Sequence, residues 1–447
     1  MTAIAFELNG KQVRVENCAN STTLLEYVRS QGLTGSKEGC AEGECGACTL
    51  LFVKPHGETA SKLIPVNSCL VLLPMAEGQE VFTVEAVAQE GRLADVQRAM
   101  VEQGGSQCGY CTPGFIVSMF AEQYRPDRVG PCDPHNLGGN LCRCTGYRPI
   151  RDALAQVGAP SDERFIARVA KPAPPLEEFE IPGFTRLETM AECLDWLTMV
   201  PEARLVAGAT DLAVESNLRG NRFEYLISVE ALRELQVFSD TDEEVVIGAG
   251  LPLSEIGLLW THAPPIFREW LPLFASPLIR NRATLGGNLA TASPIGDSAP
   301  MLMALDARVK IAGQSGDRVV PLSDFFTGYR TTKLNRGEVL VSIHIPKPFP
   351  RVARFYKIAK RRMDDISSVA AGIAIHEDGS ARVAFGGVAA TPVRVLEAEH
   401  ELPSSVNRAK RAIAASLKPL SDHRSSAAYR LAMAQSLLDK FQYEGGL

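Results

Sequence analysis

Cationic excess is missing from this chain of 447 residues: 46 Lys and Arg stand against 52 Asp and Glu, a net charge of −6. Nucleic acid and anionic membranes attract proteins through surplus positive charge, so neither is the expected partner. No apolar run of about 18 residues occurs, which excludes an ordinary membrane-spanning helix. The segment Met1 to Gly10 places Glu7 inside its only apolar stretch and has no basic flank, unlike a secretory leader, so a cytoplasmic location is expected. Internal repeats and low-complexity tracts are absent. With 45% hydrophobic and 22% charged residues the composition is that of a globular protein, and the length suggests about three domains. Cysteine is nearly absent from the last two-thirds: of eleven, only Cys193 lies beyond residue 144. A reducing cytosol disfavours disulfides, so the crowded N-terminal third points to metal or redox chemistry.

What is present reads as several units of mixed α+β texture. Ile4–Leu8 and Gln12–Val15 flank an Asn9-Gly10 hairpin turn, and Ser21 to Glu26 carries a helix-start signal with Leu24, Leu25 and Val28 on one face. A glycine- and cysteine-rich loop, Gly35 to Cys48, precedes a strand at Thr49–Val53. From Thr83 to Val157 the apolar period is helical, and Gly158 to Pro182 reads as an extended linker or strap. Beyond it, strands are expected at Arg204–Ala207 and Glu243–Ile247 and helices at Met190–Met199 and Leu253–Trp260. Further strands are expected at Val369–Ile375 and Ala381–Phe385, before a helical tail at Ser425–Phe441.

Cys40, Cys45 and Cys48 with the distant Cys69 give C-x4-C-x2-C plus one, the spacing of a plant-type [2Fe–2S] site. Gly39, Gly43 and Gly46 let that loop curl and turn N–H groups toward sulfur. A zinc site or buried free thiols are the alternatives. Cys108 and Cys111 with Cys142 and Cys144 supply two further pairs, which by themselves suit zinc or a cluster equally. Cys18, Cys132 and Cys193 have no partner at ligand spacing and are read as ordinary thiols.

No Walker signature is present. Val246 to Pro252 offers strand and G-x-G but no third glycine, so a Rossmann site is rejected there. Leu205-Val206-Ala207-Gly208-Ala209-Thr210-Asp211-Leu212 follows a strand with small residues suited to a pyrophosphate. Thr284, Gly286, Gly287, Asn288, Thr291 and Asp297 combine close-approach glycines with polar side chains. Each segment alone would more often be a plain loop.

The stretches Gln107 to Gly114 and Gly139 to Tyr147 resemble the second [2Fe–2S] domain of the molybdenum hydroxylases, with the first cysteine motif in that family's order and spacing. The resemblance extends over nearly the whole chain, and most resembles the small subunit of the bacterial two-subunit xanthine dehydrogenases. It implies a multidomain α+β protein: a ferredoxin-like β-grasp [2Fe–2S] domain over 1–85, a helical-bundle [2Fe–2S] domain over 86–158 and a linker over 159–182. An FAD-binding domain of the vanillyl-alcohol-oxidase/CO-dehydrogenase flavoprotein type follows over 183–345, then a C-terminal α+β domain over 346–447. It further implies FAD contacts from residues 205–212, Phe274, Thr284, Gly286, Gly287, Asn288, Thr291, Asp297, Leu340 and Lys357, with Tyr329 and Asp364 on the NAD+ side. For Asp364 the plainer alternative is a surface ion pair with Arg361 or Arg362.

By the same resemblance, electrons pass from molybdenum to the cluster at Cys108, then to the cluster at Cys40, then to FAD and NAD+. Molybdopterin is expected on a large partner subunit in a heterotetramer of two small and two large chains, so no residue here is assigned to substrate hydroxylation. The implied reaction is oxidation of hypoxanthine and xanthine to urate. An equivalent subunit of an aldehyde-, nicotinate- or CO-oxidising enzyme, a stand-alone iron–sulfur flavoprotein carrier and a zinc-binding module remain alternatives.

Overall fold

The computed structural model describes residues 3–89, 91–126 and 128–447. The chain forms two compact units, one from Met1–Glu188, Glu202–Ala231 and Ser276–Ala283, the other from Thr189–Pro201, Leu232–Ala275 and Thr284–Leu447. Residues 183–345 therefore contribute to both.

The first unit opens on the expected hairpin. Ala3–Leu8 pairs antiparallel with Lys11–Glu16, and Asn9 and Gly10 take φ of 54° and 77° at the turn. The five-stranded sheet runs Lys11–Glu16, Ala3–Leu8, Glu80–Phe82, Thr49–His56, Ala60–Asn67, with Ala3–Leu8 and Glu80–Phe82 parallel. The helix Leu24–Ser30 starts where the sequence signals it: Thr23 and Glu26 form a reciprocal capping box, and Leu24, Leu25 and Val28 face inward.

Thr49–His56 is apolar on both sides for a reason the period alone does not show. Leu50 and Phe52 enter a core with Ile4, Phe6 and Leu24, whereas Leu51 and Val53 enter a second core made by the helical segment. That second core gathers the helices Asp95–Glu102, Thr112–Gln123 and Arg148–Ala155.

The expected linker differs from an extended strap over Glu163–Val169, which is helical and capped by Asp162. Phe165 of that helix lies edge-on to Phe82 and Phe120 at 5.0 and 4.7 Å, so burial of one aromatic ring holds the segment down. Within the segment 125–135 between the two cysteine pairs, Asp127 lies outside the described residues. Buried Glu122 ties its flanks, accepting from Arg125 Nε at 2.9 Å, Asp133 N at 2.8 Å and Asn136 Nδ2 at 2.7 Å.

The first core continues into Phe179, Ile181, Phe184, Val206, Ala209, Ala213 and Leu226. These come from a four-stranded sheet in the order Phe179–Ile181, Phe184–Arg186, Leu226–Ser228, Arg204–Val206, from the helix Leu212–Arg219 and, for Ala209, from the turn that joins Arg204–Val206 to that helix. The 205–212 segment thus shares a core with Cys48 and Cys69. Buried Arg186 reinforces this, donating to the carbonyls of Met75 at 3.2 Å and Glu77 at 3.1 Å.

The second unit carries an antiparallel five-stranded sheet, Phe238–Asp240, Glu244–Gly248, Val339–Pro346, Arg308–Ala312, Arg318–Pro321. A four-stranded antiparallel sheet, Val352–Ile358, Val369–Ile375, Ala381–Gly386, Val393–Arg394, packs on the helices Leu396–Glu401, Val406–Ser416 and Ala427–Tyr443. At the rejected Rossmann segment, a Cβ on Gly248 would lie 2.3 Å from Leu235 O and one on Gly250 2.7 Å from Gln236 Nε2. Both glycines serve chain packing, which accounts for G-x-G without a nucleotide.

Candidate functional site

The loop that carries Cys40, Cys45 and Cys48 is held by backbone geometry that its small residues permit. Ala41, Gly43 and Gly46 have φ of 57°, 83° and 68°. Asn67 Nδ2 donates to Gly43 O at 2.6 Å, Ser68 Oγ to Cys48 O at 2.6 Å and Thr49 Oγ1 to Gly46 O at 2.6 Å. The four thiols form two pairs. Cys48 Sγ lies 3.4 Å from Cys69 Sγ, both buried, and Cys40 hydrogen-bonds Cys45, both half-buried. Hydrogen bonding from Cys45 lowers the Cys40 thiol to about 5, against its desolvation and aided by the amides of Glu42, Cys45 and Glu44, while Cys45 is raised. Cys48 is likewise lowered by Cys69, which is raised in turn. One sulfur of each pair is thereby biased toward the thiolate that binds metal.

The second motif repeats the arrangement nearer solvent. Cys144 Sγ lies 3.5 Å from Cys108 Sγ, and both are exposed. Cys111, at the N-terminus of Thr112–Gln123, hydrogen-bonds buried Cys142. Burial raises Cys111 to about 12, and the Cys142 hydrogen bond adds to that. Cys142 is lowered despite burial, because Thr145 and the Cys144 amide hydrogen-bond it. The Cys-Thr-Gly-Tyr turn closes when the Cys142 amide donates to Tyr147 Oη at 3.1 Å, with Gly146 and Tyr147 at φ of 68° and 67°.

A zinc ion gathers its donors around one centre. Among the described residues no three His, Cys, Asp or Glu side chains converge on such a point. A [2Fe–2S] cluster spreads four cysteines over two irons, and two thiol pairs per motif fit that demand. The two loops also touch: the Leu141 amide donates to Cys45 O at 3.0 Å, and a Cβ on Gly114 would stand 2.2 Å from Gly46 O. Burial raises Cys18 to about 11, Cys193 to about 12 and Cys132 in the same direction, as expected of inert thiols.

The segment 205–212 leaves the strand Arg204–Val206 and turns at Ala209, φ 60°, into Leu212–Arg219. Gly208 has no room for a side chain: a Cβ there would lie 1.8 Å from Arg282 O, and Arg282 Nε donates to Gly208 O at 3.1 Å. Arg282 is buried and paired with Glu230 at 3.0 Å. The turn's first helical bond is from Ala213 N to Ala209 O, so the preceding amides are those a helix N-terminus leaves for an anion.

In the second unit Thr284 caps Leu285–Thr291, accepting from Gly287 N at 2.9 Å. Its two glycines differ. Gly286 is buried, donates to Ala249 O at 3.1 Å and would put a Cβ 2.5 Å from that oxygen, so it serves packing. Gly287 is exposed, and a Cβ there would meet only Thr284 Oγ1, at 3.1 Å. Asn288 Oδ1 accepts from Ser298 Oγ.

Asp297 and Lys357 form a buried pair at 2.7 Å, and Lys357 Nζ also donates to Leu273 O at 2.8 Å, beside Phe274. Ser367 Oγ completes the set on Asp297 Oδ1. Leu340 is buried in the central strand Val339–Pro346, and Thr291 ends its helix half-buried.

Tyr329 is 63% exposed at the turn between Phe326–Gly328 and Thr331–Thr332. Asp364 has φ 51° and a buried Oδ2; Arg361 donates to its carbonyl at 2.7 Å and lies 3.9 Å from the Asp365 carboxylate. Sequence reasoning missed Asn67 and Ser367. The one usable signal was that Asn67 precedes the candidate ligand Cys69 by two residues.

Four family models match the chain in sequence order. They are a 2Fe-2S iron-sulfur cluster binding domain at residues 6–73, a [2Fe-2S] binding domain at 83–155, the FAD binding domain in molybdopterin dehydrogenase at 177–348 and the CO dehydrogenase flavoprotein C-terminal domain at 354–444. The chain belongs to the molybdenum hydroxylase family. As a member it carries two [2Fe–2S]-binding domains and an FAD-binding domain in a mixed α+β architecture.

Xanthine dehydrogenase/oxidase of Mus musculus is 33% identical over 88% of this chain and 35% of its own length. Xanthine dehydrogenase 1 of Arabidopsis thaliana is 34% identical over 82% and 33%. The chain thus spans about a third of these molybdenum hydroxylases. Among solved structures, carbon monoxide dehydrogenase from Hydrogenophaga pseudoflava matches with a TM-score of 0.55 and 28% identity, over 58% of this chain and 96% of that one. Quinoline 2-oxidoreductase from Pseudomonas putida 86 matches at 0.53 and 27%, over 59% and 96%. Among the described residues no helix is long and apolar enough to cross a membrane.

Proposed function

We propose that this chain is the electron-transfer subunit of a cytoplasmic xanthine dehydrogenase, working beside a molybdopterin-binding large subunit, two of each in the assembly, with NAD+ as acceptor. The observation that carries the reading is the match to a xanthine dehydrogenase over 88% of the chain. When bound, the clusters carry single electrons and the flavin releases them as a pair.

The chain's own residues then have defined tasks. Cys40, Cys45, Cys48 and Cys69 hold one cluster, and Cys108, Cys111, Cys142 and Cys144 the other. The amides ahead of Ala213 receive pyrophosphate, with Gly208 holding that turn against Arg282. Gly287 gives phosphate room at the second segment, while the Lys357–Asp297 pair fixes the polar wall beside Phe274. Tyr329 and Asp364 would stand on the NAD+ side.

The test is co-expression with a molybdopterin-binding chain. A complex on size exclusion that forms NADH with xanthine supports the proposal, and a complex inert to xanthine but active on another heterocycle, aldehyde or CO moves the chain to a sister enzyme. Absence of any complex would leave the carrier reading.

A further inference from the structure

Asn217 sits on the helix Leu212–Arg219, directly after the pyrophosphate segment, yet its side chain serves the first cysteine loop. Its amide donates both hydrogens there, to Ala41 O at 2.9 Å and to Cys69 O at 2.8 Å. Cys69 is a proposed ligand, and Ala41 adjoins Cys40 in a left-handed turn, φ 57°. The peptide that follows Ala41 is held at both ends: its carbonyl accepts from Asn217, and its N–H, on Glu42, hydrogen-bonds the Cys40 sulfur. A polarised chain therefore runs from the Asn217 amide through one peptide to a ligand sulfur. Hydrogen bonds in series strengthen one another, and those reaching cluster sulfur help set its reduction potential.

We propose that Asn217, contributed by the flavin-binding part of the chain, is a positioning residue that sets the reduction potential of the cluster at Cys40, Cys45, Cys48 and Cys69. The inference rests on the [2Fe–2S] reading of that motif. Asn217 orients the Ala41–Glu42 peptide so that its N–H stays on sulfur, and it ties that peptide to Cys69, the fourth ligand. A donor to sulfur favours the reduced, more negative cluster, so its loss lowers the potential.

The experiment is a redox titration of the complete chain followed by the paramagnetic resonance of each reduced cluster, for wild type, Asn217→Leu and Asn217→Asp. The second cluster is the internal control, because both Asn217 amide hydrogens go to the first motif. Losing one hydrogen bond to a charged group corresponds to about tenfold in the reduction equilibrium, about 59 mV for a one-electron couple.

The expected result is that shift toward lower potential in the first cluster alone, in both variants, with FAD content unchanged. If a variant fails to hold the first cluster while retaining the second, Asn217 positions its ligands as proposed. Unchanged potentials, or equal disturbance of both clusters, would overturn the proposal. A wild-type chain without two [2Fe–2S] signals would instead refute the cluster reading itself.

Discussion

Replacing Gly287 by alanine should raise the stability of the flavin-free protein and weaken FAD binding, two effects of opposite sign from one methyl group. Gly287 is the third residue of a helix capped by Thr284, and alanine favours a helix interior over glycine by about 1 kcal/mol. The added Cβ meets only Thr284 Oγ1, at 3.1 Å, a hydroxyl able to give by a few tenths of an ångström. The folded chain thus tolerates the change, and unfolding of the flavin-free form should move upward or stay within about 0.5 kcal/mol. A phosphate seated against that backbone would meet the methyl group directly. Overpacking of that kind costs about 1–3 kcal/mol, roughly tenfold to a hundredfold in Kd.

Gly208→Ala makes the contrast. There the Cβ would lie 1.8 Å from a backbone oxygen that cannot swing aside, so the flavin-free fold itself should lose about 1–3 kcal/mol. The assay is calorimetric titration of flavin-free protein with FAD, paired with thermal unfolding of the same samples. If Gly287→Ala binds FAD within twofold of wild type, the 284–297 segment is not approached by phosphate and the reasoning fails.

Three further outcomes follow from the same geometry. Cys48→Ser should remove one cluster and Cys108→Ser the other, each halving iron from about four to about two per chain; metal analysis showing no loss in either would contradict the assignment. Lys357→Met strands Asp297, whose side chain is only 8% exposed, so the flavin-free second unit should lose about 3–5 kcal/mol, partly recovered by adding Asp297→Asn. Asp422, lowered to about 2 by the amides of Ser425 and Arg424 and by Arg430 despite desolvation, stabilises the fold fully above about pH 4. The stability gap between wild type and Asp422→Asn should therefore shrink as pH falls toward 2; a gap constant across acid unfolding curves would refute the Arg430 pairing.

The two [2Fe–2S]-binding domains were legible because their cysteine spacing is local: Cys40, Cys45 and Cys48 lie on one loop, and glycine marks its turns. The hairpin at Asn9-Gly10 and the Thr23–Glu26 box were legible for the same reason. Less visible was anything decided by distant packing. Thr49–His56 reads as one apolar strand, but only the fold divides Leu50 and Phe52 from Leu51 and Val53 between two cores. Phe165 looked like a linker residue because its partners, Phe82 and Phe120, lie far away in sequence.

The division of residues 183–345 between two compact units has no marker in composition. Asn217 has the pattern of a solvated helix position, and its role depends on carbonyls 148 and 176 residues away. Gly286 and Gly287 are adjacent and indistinguishable in sequence, yet one packs on Ala249 and the other is open.

The most direct test of the account is iron, acid-labile sulfide and released flavin quantified on one purified sample with its visible spectrum. About four irons, four sulfides and one FAD per chain are expected. A colourless chain that holds zinc and releases no flavin would contradict it.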